Sequence, residues 1–198
     1  MTLRNGTVAT TSGGNSQLLF PWSAVRAGNP NADAQYFPGV TQCSCRYTQW
    51  GFWSVDGTRG TDTDYGSLNP WVAGQLASVG QIPTVGTATY SGHAMASVNN
   101  AGAVYVAGGN LSHTVNFATG TGTGSIANLG GRSYNFASAL AAGSVNFSGS
   151  ITGTNAAGSL RGSFYGPGTP PAEMAGQFGI AATAGPAYAA NGIFLGSR

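Results

Sequence analysis

The sequence predicts an all-β protein: an antiparallel up-and-down β-barrel of about eight strands, preceded by an irregular N-terminal lead-in of short strands. Three observations carry this. From Gly86 onward, short runs of alternating residues recur at a spacing of roughly 8–12 residues, each ended by glycine, asparagine or another turn former. No run of helical period competes over that half of the chain. Charged residues make up only 6% of the 198 residues, so an open sheet would have little charge to blunt its edges, and closure removes the edges altogether. The 33 glycines fit the same picture, because a small barrel needs tight coiling and close packing of its strands.

Residues 1–85 read as a lead-in or handle. Up to about residue 45 they are rich in Gly, Asn, Pro, Ser and Thr, with short apolar pieces such as QLLFPW. The stretch RYTQWGFWSV is dense in aromatic and strand-forming residues. DGTRGTDTDYGSLNP reads as a loop from its turn residues. NPWVAGQLASVGQIP is open between helix and extended chain: Asn69 and Pro70 suit a helix start and Gly80 a helix end, yet Gly74 interrupts the middle. Residues 86–198 read as the barrel. TATYSGHAMASV places Ala88, Tyr90, Gly92, Ala94, Ala96 and Val98 on one face, and LSHTVNF places Leu111, His113, Val115 and Phe117 on one face. Further strands follow in TGTGSIANL, YNFASAL, SVNFSGSITG, GSLRGSFYG, GQFGIAAT and NGIFLG.

The charge pattern bounds the partners. There is no lysine, and the seven arginines are scattered for a formal net charge of +2, which is no nucleic-acid footprint. No stretch has the length and apolarity of a membrane helix, and the start lacks a signal-peptide run, so the chain is expected to be a fragment of a longer one. Catalytic motifs are missing too: no nucleophile elbow, no His-Glu-x-x-His and no phosphate loop, so no enzymatic activity and no catalytic residue is expected.

Several residues are singled out by chemistry. Cys43 and Cys45 are the only cysteines; they are a disulfide candidate if the strand bends locally, and too few for a four-ligand zinc site. Asp56, Asp62 and Asp64 hold three of the five acids in a glycine-rich stretch, where calcium binding competes with a plain solvated turn. Tyr47, Trp50 and Trp53 offer one aromatic set to pack on the barrel and another as a partner-binding patch. His93 and His113 are the only histidines; His113 falls on an apolar face, as a core residue or a binding residue. Glu173 stands alone after the turn GPGTPP. There its carboxylate is expected to accept hydrogen bonds from loop N–H groups or to pair with Arg161.

Taken in order, GTATYSGHAMASV, VNFATGTGTGSI, GSFYGPGTPPAEMAGQFGI and GIFLGSR resemble the strands and final hairpins of the β-barrel domain of the transferrin-binding protein B-like family of bacterial surface proteins. The most specific of these is the third, with its aromatic pair, Gly-Pro, short loop, acid, and then Gly and Phe on the next strand. The resemblance implies a non-enzymatic binding module at the bacterial cell surface, in the outer membrane layer or outside the cell. It would bind an unknown protein or small-molecule ligand through loops and exposed aromatics. It also brings haem into consideration, with histidine as the axial ligand; otherwise no cofactor and no metal is expected. The rival reading is a structural C-terminal module of a longer cell-surface or secreted protein, with no ligand of its own.

Overall fold

The computed structural model describes residues 39–53, 56–59, 62–65, 69–141 and 143–198, of which 52, 53, 56–59, 62–65 and 69 are described by backbone alone. In the lead-in, β1 (Thr48–Trp53) pairs antiparallel with β4 (Asn69–Gly74), and β2 (Asp56–Arg59) pairs with β3 (Asp62–Tyr65). Asp56–Arg59 and Asp62–Tyr65, in a stretch expected as a loop, are therefore paired strands. The undecided NPWVAG is a strand, because pairing in the register Trp50 to Val72 satisfies its backbone in spite of Pro70. Among the described residues only Val79–Gln81 turn helically, in a single 3-10 turn.

Eight strands follow: β5 (Thr87–Asn100), β6 (Ala103–Asn116), β7 (Thr121–Leu129), β8 (Arg132–Leu140), β9 (Asn146–Gly153), β10 (Ala156–Tyr165), β11 (Glu173–Ala182) and β12 (Tyr188–Ser197). Each pairs antiparallel with its chain neighbour, and β12 pairs with β5, so the meander closes into an up-and-down barrel. The fold class read from the sequence is the one observed.

Alternation decides what lies inside. Tyr90, Leu111, Ile126, Phe136, Phe147, Leu160, Phe164 and Phe194 are buried and pack as one interior cluster. Four of these aromatics touch in tilted pairs, with Phe147 and Phe164 ring centroids 5.2 Å apart. Outward positions such as Thr123, Asn135, Ser150 and Ser159 are exposed. Apolar inside and hydroxyl outside is the reverse of a lipid-facing barrel. No helix among the described residues is long and apolar enough to cross a membrane.

One sector of the wall breaks the alternation. On β5, β11 and β12 both faces are buried, because the lead-in lies against the outside. There Cys43, Cys45, Trp50, Met95, Tyr165, Ala175, Ile193 and Leu195 form a second apolar cluster. Close strand approach in this sector requires Gly176: a Cβ there would stand 2.0 Å from the Arg161 carbonyl oxygen and 2.6 Å from the Gly162 Cα.

The two barrel ends differ. At the lead-in end, Ala77 and Ile82 pack on the interior cluster, so the β4–β5 connection stoppers the opening. At the far end, two-residue turns join β5 to β6, β7 to β8 and β9 to β10.

Candidate functional site

The site grows from Glu173, the first residue of β11 and 2% exposed. Its Oε1 accepts from the backbone N–H of Arg46 and of Tyr47, and its Oε2 accepts from the Thr48 hydroxyl at 2.8 Å. One carboxylate thus ties the lead-in to the barrel at the point where β1 begins. The preceding turn sets this up: Gly166 and Gly168 take positive φ, releasing the chain from β10 so that it re-enters as β11 with Glu173 facing out. Of the two partners foreseen for Glu173, the loop N–H groups are the ones present. Arg161 sits across from Gln177, four residues along β10 from the Tyr165 that faces Glu173.

The other residues singled out in the sequence fall on two sides of the wall. Cys43 and Cys45 are joined by a disulfide, their Cα atoms 5.1 Å apart, and both are buried. The Cys43 N–H donates to His93 Nδ1 at 3.0 Å. Trp50 is 1% exposed, its ring edge-on to His93 at 5.0 Å. Tyr47 is half-buried and covers Gly166, where a Cβ would meet its ring at 2.5 Å. These residues meet in the seam between lead-in and wall. The side chains of Trp53, Asp56, Asp62 and Asp64 lie outside the described residues. His113 is inside the barrel: its Nε2 is 2.8 Å from Ser138 Oγ, its Nδ1 is 3.0 Å from Met174 Sδ, and it meets Phe136 edge-on at 5.0 Å. A haem iron would need one of those nitrogens. Among the described residues no three His, Cys, Asp or Glu converge as a metal site would require.

Burial holds both histidines neutral, with pKa values lowered to about 4 from 6.5. Between those values the unfolded chain binds protons that the native one refuses, so stability is complete above the unfolded pKa and falls as pH drops. The urea midpoint should decline progressively from about pH 6.5 to about pH 4, and His113→Gln should flatten that slope.

Beside the seam runs a groove that sequence reasoning missed. It has a volume of about 410 Å³ and lies on the outer wall between Val72 of β4 and the outward residues Asn146, Ser148, Arg161, Ser163 and Gln177. Among the described residues β4 pairs only with β1, leaving its second edge open along most of its length; just beyond its end Leu76 bridges to Tyr165. Arg161 is exposed and, among the described residues, is the only charged side chain lining the groove. No sequence motif marks such a groove, because it arises from how the lead-in lands on the wall.

A buried carboxylate clamping a lead-in to a closed eight-stranded barrel is the frame in which similarity to known proteins becomes informative. Residues 80–178, half of the chain, match the family described as factor H binding protein, C-terminal. The chain belongs to that family. The matched stretch runs from the stoppered end of the barrel through Glu173 into β11. Solved structures share the fold of this factor H binding protein C-terminal family member. Transferrin-binding protein B from Haemophilus parasuis Hp5 superposes with a TM-score of 0.62 at 17% identity, over 96% of this chain and 37% of that one. The same protein from Actinobacillus pleuropneumoniae H49 gives 0.52 at 16% identity, over 95% of each chain. A structure named surface lipoprotein gives 0.54 at 18% identity, over 83% of this chain and 84% of that one. No curated protein matches the sequence. The chain thus spans little more than a third of the first transferrin-binding protein B, and it carries the transferrin-binding protein B-like barrel read from the sequence.

Proposed function

We propose that this chain is a non-enzymatic binding module of the bacterial cell surface, and that it takes a protein partner on the groove beside β4. The observation that carries the reading is that, among the described residues, the second edge of β4 is open next to a cavity in which Arg161 is the one charged group. An extended segment can add to such an edge through main-chain hydrogen bonds, while an acidic side chain meets Arg161. Three of the four far-end turns are only two residues long, which favours the wall over the loops as the recognition surface. Family membership and likeness to proteins named for binding factor H and transferrin support the class of function and the surface location.

The test is surface plasmon resonance with purified factor H and purified transferrin over the immobilised chain. Saturable binding of one of them, weakened at least tenfold by Arg161→Glu, is the expected result. Binding of neither, or binding that ignores Arg161→Glu, overturns the reading.

A further inference from the structure

The lead-in is held on the wall in an unusual way. Residues 40–45 pair with no strand. Wall side chains instead grip the backbone of this segment at three points. Asn110 of β6 accepts from the Thr41 N–H and donates to the Gly39 carbonyl at 2.9 Å. His93 of β5 accepts from the Cys43 N–H, and Glu173 of β11 accepts from the Arg46 and Tyr47 N–H groups. The disulfide is no staple between the two parts, because Cys43 and Cys45 both belong to the lead-in. The segment from Gly39 to Tyr47 can therefore lift with no covalent bond broken and the eight-stranded ladder intact.

Of the three grips, His93 is the one whose bonding reverses on taking up a proton. Nδ1 accepts from Cys43, so the proton of the neutral ring sits on Nε2, which is buried and has no hydrogen-bond partner. A second proton must go to Nδ1. The ring then points a donor at the Cys43 N–H and carries a charge in a site 1% exposed. Its surroundings offer that charge nothing. Leu195 of β12 and Asn110 of β6 stand opposite it in the ladders, and Trp50 and the disulfide cover it from the lead-in. The titratable and charged groups of the seam are Glu173, engaged by Arg46, Tyr47 and Thr48, the phenols of Tyr47 and Tyr165, and exposed Arg46.

We propose that His93 is an acid-sensitive latch: a proton added at Nδ1 displaces the Cys43 N–H and frees the lead-in from the wall while the barrel stays closed. Burial lowers the His93 pKa from 6.5 to about 4, so the seated lead-in is favoured fully above pH 6.5 and loses ground as pH falls. From about pH 7.5 to about pH 5 the lifted state gains about thirtyfold over the seated one. His113 refuses protons as well, but it lies inside the closed ring, and only unfolding of the barrel exposes it. Weaker partner binding in acid follows where the groove beside β4 is the recognition surface; that consequence rests on the function proposed above, whereas the latch does not.

The test compares amide protection factors at pH 7.5 and pH 5 for Cys43 and for Ile126 and Phe136 of β7 and β8. In the wild type the Cys43 protection factor should fall about thirtyfold, and at both pH values it should lie well below those of Ile126 and Phe136. His93→Asn puts a non-titrating oxygen where Nδ1 stands, so the ratio between the two pH values should shrink to less than threefold, whatever the variant's own stability. His113→Gln should leave the Cys43 ratio unchanged. The ring nitrogen shifts of wild-type His93 need no variant and should titrate well below 6.5. A pH-independent Cys43 amide in the wild type, an equal fall in His93→Asn, a fall abolished by His113→Gln, or titration of His93 near 6.5 would each overturn the latch. Failure of factor H and transferrin to bind at pH 7.5 would instead strike only the groove.

Discussion

Replacing Glu173 with alanine is expected to detach the lead-in and lower stability by about 3 kcal/mol. The reasoning starts from what is left behind. The carboxylate accepts from two backbone N–H groups and the Thr48 hydroxyl, and Thr48 is itself 1% exposed. Without it, buried donors lose a charged acceptor, and hydrogen bonds to charged groups are the stronger class. The apolar cluster around Trp50 and Leu195 then depends on packing alone. In a chain of this size the loss corresponds to a fall in melting temperature of roughly 6–12 °C. Glu173→Gln tests the acceptor chemistry separately. It keeps the volume but turns one oxygen into a donor facing donors, so it should recover only part of the loss. Thermal unfolding of the three proteins measures the order, and a Glu173→Ala curve overlying the wild type would refute the clamp.

Phe164→Ala is the second large effect, at about 3–5 kcal/mol. Phe164 is fully buried near the stoppered end of β10 and packs against Tyr90, Phe117 and Phe147, with centroids 5.6, 5.9 and 5.2 Å away. The closed ring of backbone hydrogen bonds cannot collapse inward to fill the space, so the cavity term is retained rather than relaxed. Urea denaturation should show a lowered midpoint with an unchanged slope, because the surface exposed on unfolding is the same. Phe164→Leu should cost distinctly less. A loss under about 1 kcal/mol for the alanine variant would mean that the interior is not packed as described.

The barrel was legible because its alternation has one dominant meaning: Ala88 to Val98 and Leu111 to Phe117 face inward as read. The same rule hid the seam. His93 and Met95 stand on the outward face of β5 among Thr and Ser, yet both are buried under the lead-in. Only a weak trace of this survives in the sequence: GIFLG on β12 is apolar without alternation, the mark of a strand covered on both sides. The undecided NPWVAG shows the limit from the other direction, since its strand state comes from pairing with β1 rather than from local preference. Glu173 was visible as an oddity, and its loop N–H partners could be foreseen in kind. That they belong to Arg46 and Tyr47, more than 120 residues earlier, depends on the tertiary fold. The groove could not be read at all, because it is built from side chains on strands far apart in sequence, each of which looks ordinary in its own strand.

The account rests on the lead-in being a fixed part of the wall, because the groove beside β4 exists only where the lead-in lands. Amide hydrogen exchange of Arg46 and Tyr47 tests this most directly, since their N–H groups are held by the Glu173 carboxylate alone. Both amides should be strongly protected in the wild type and exchange freely in Glu173→Ala, while the amides of β7 to β9 stay protected in both. Free exchange at Arg46 and Tyr47 in the wild type would contradict the account.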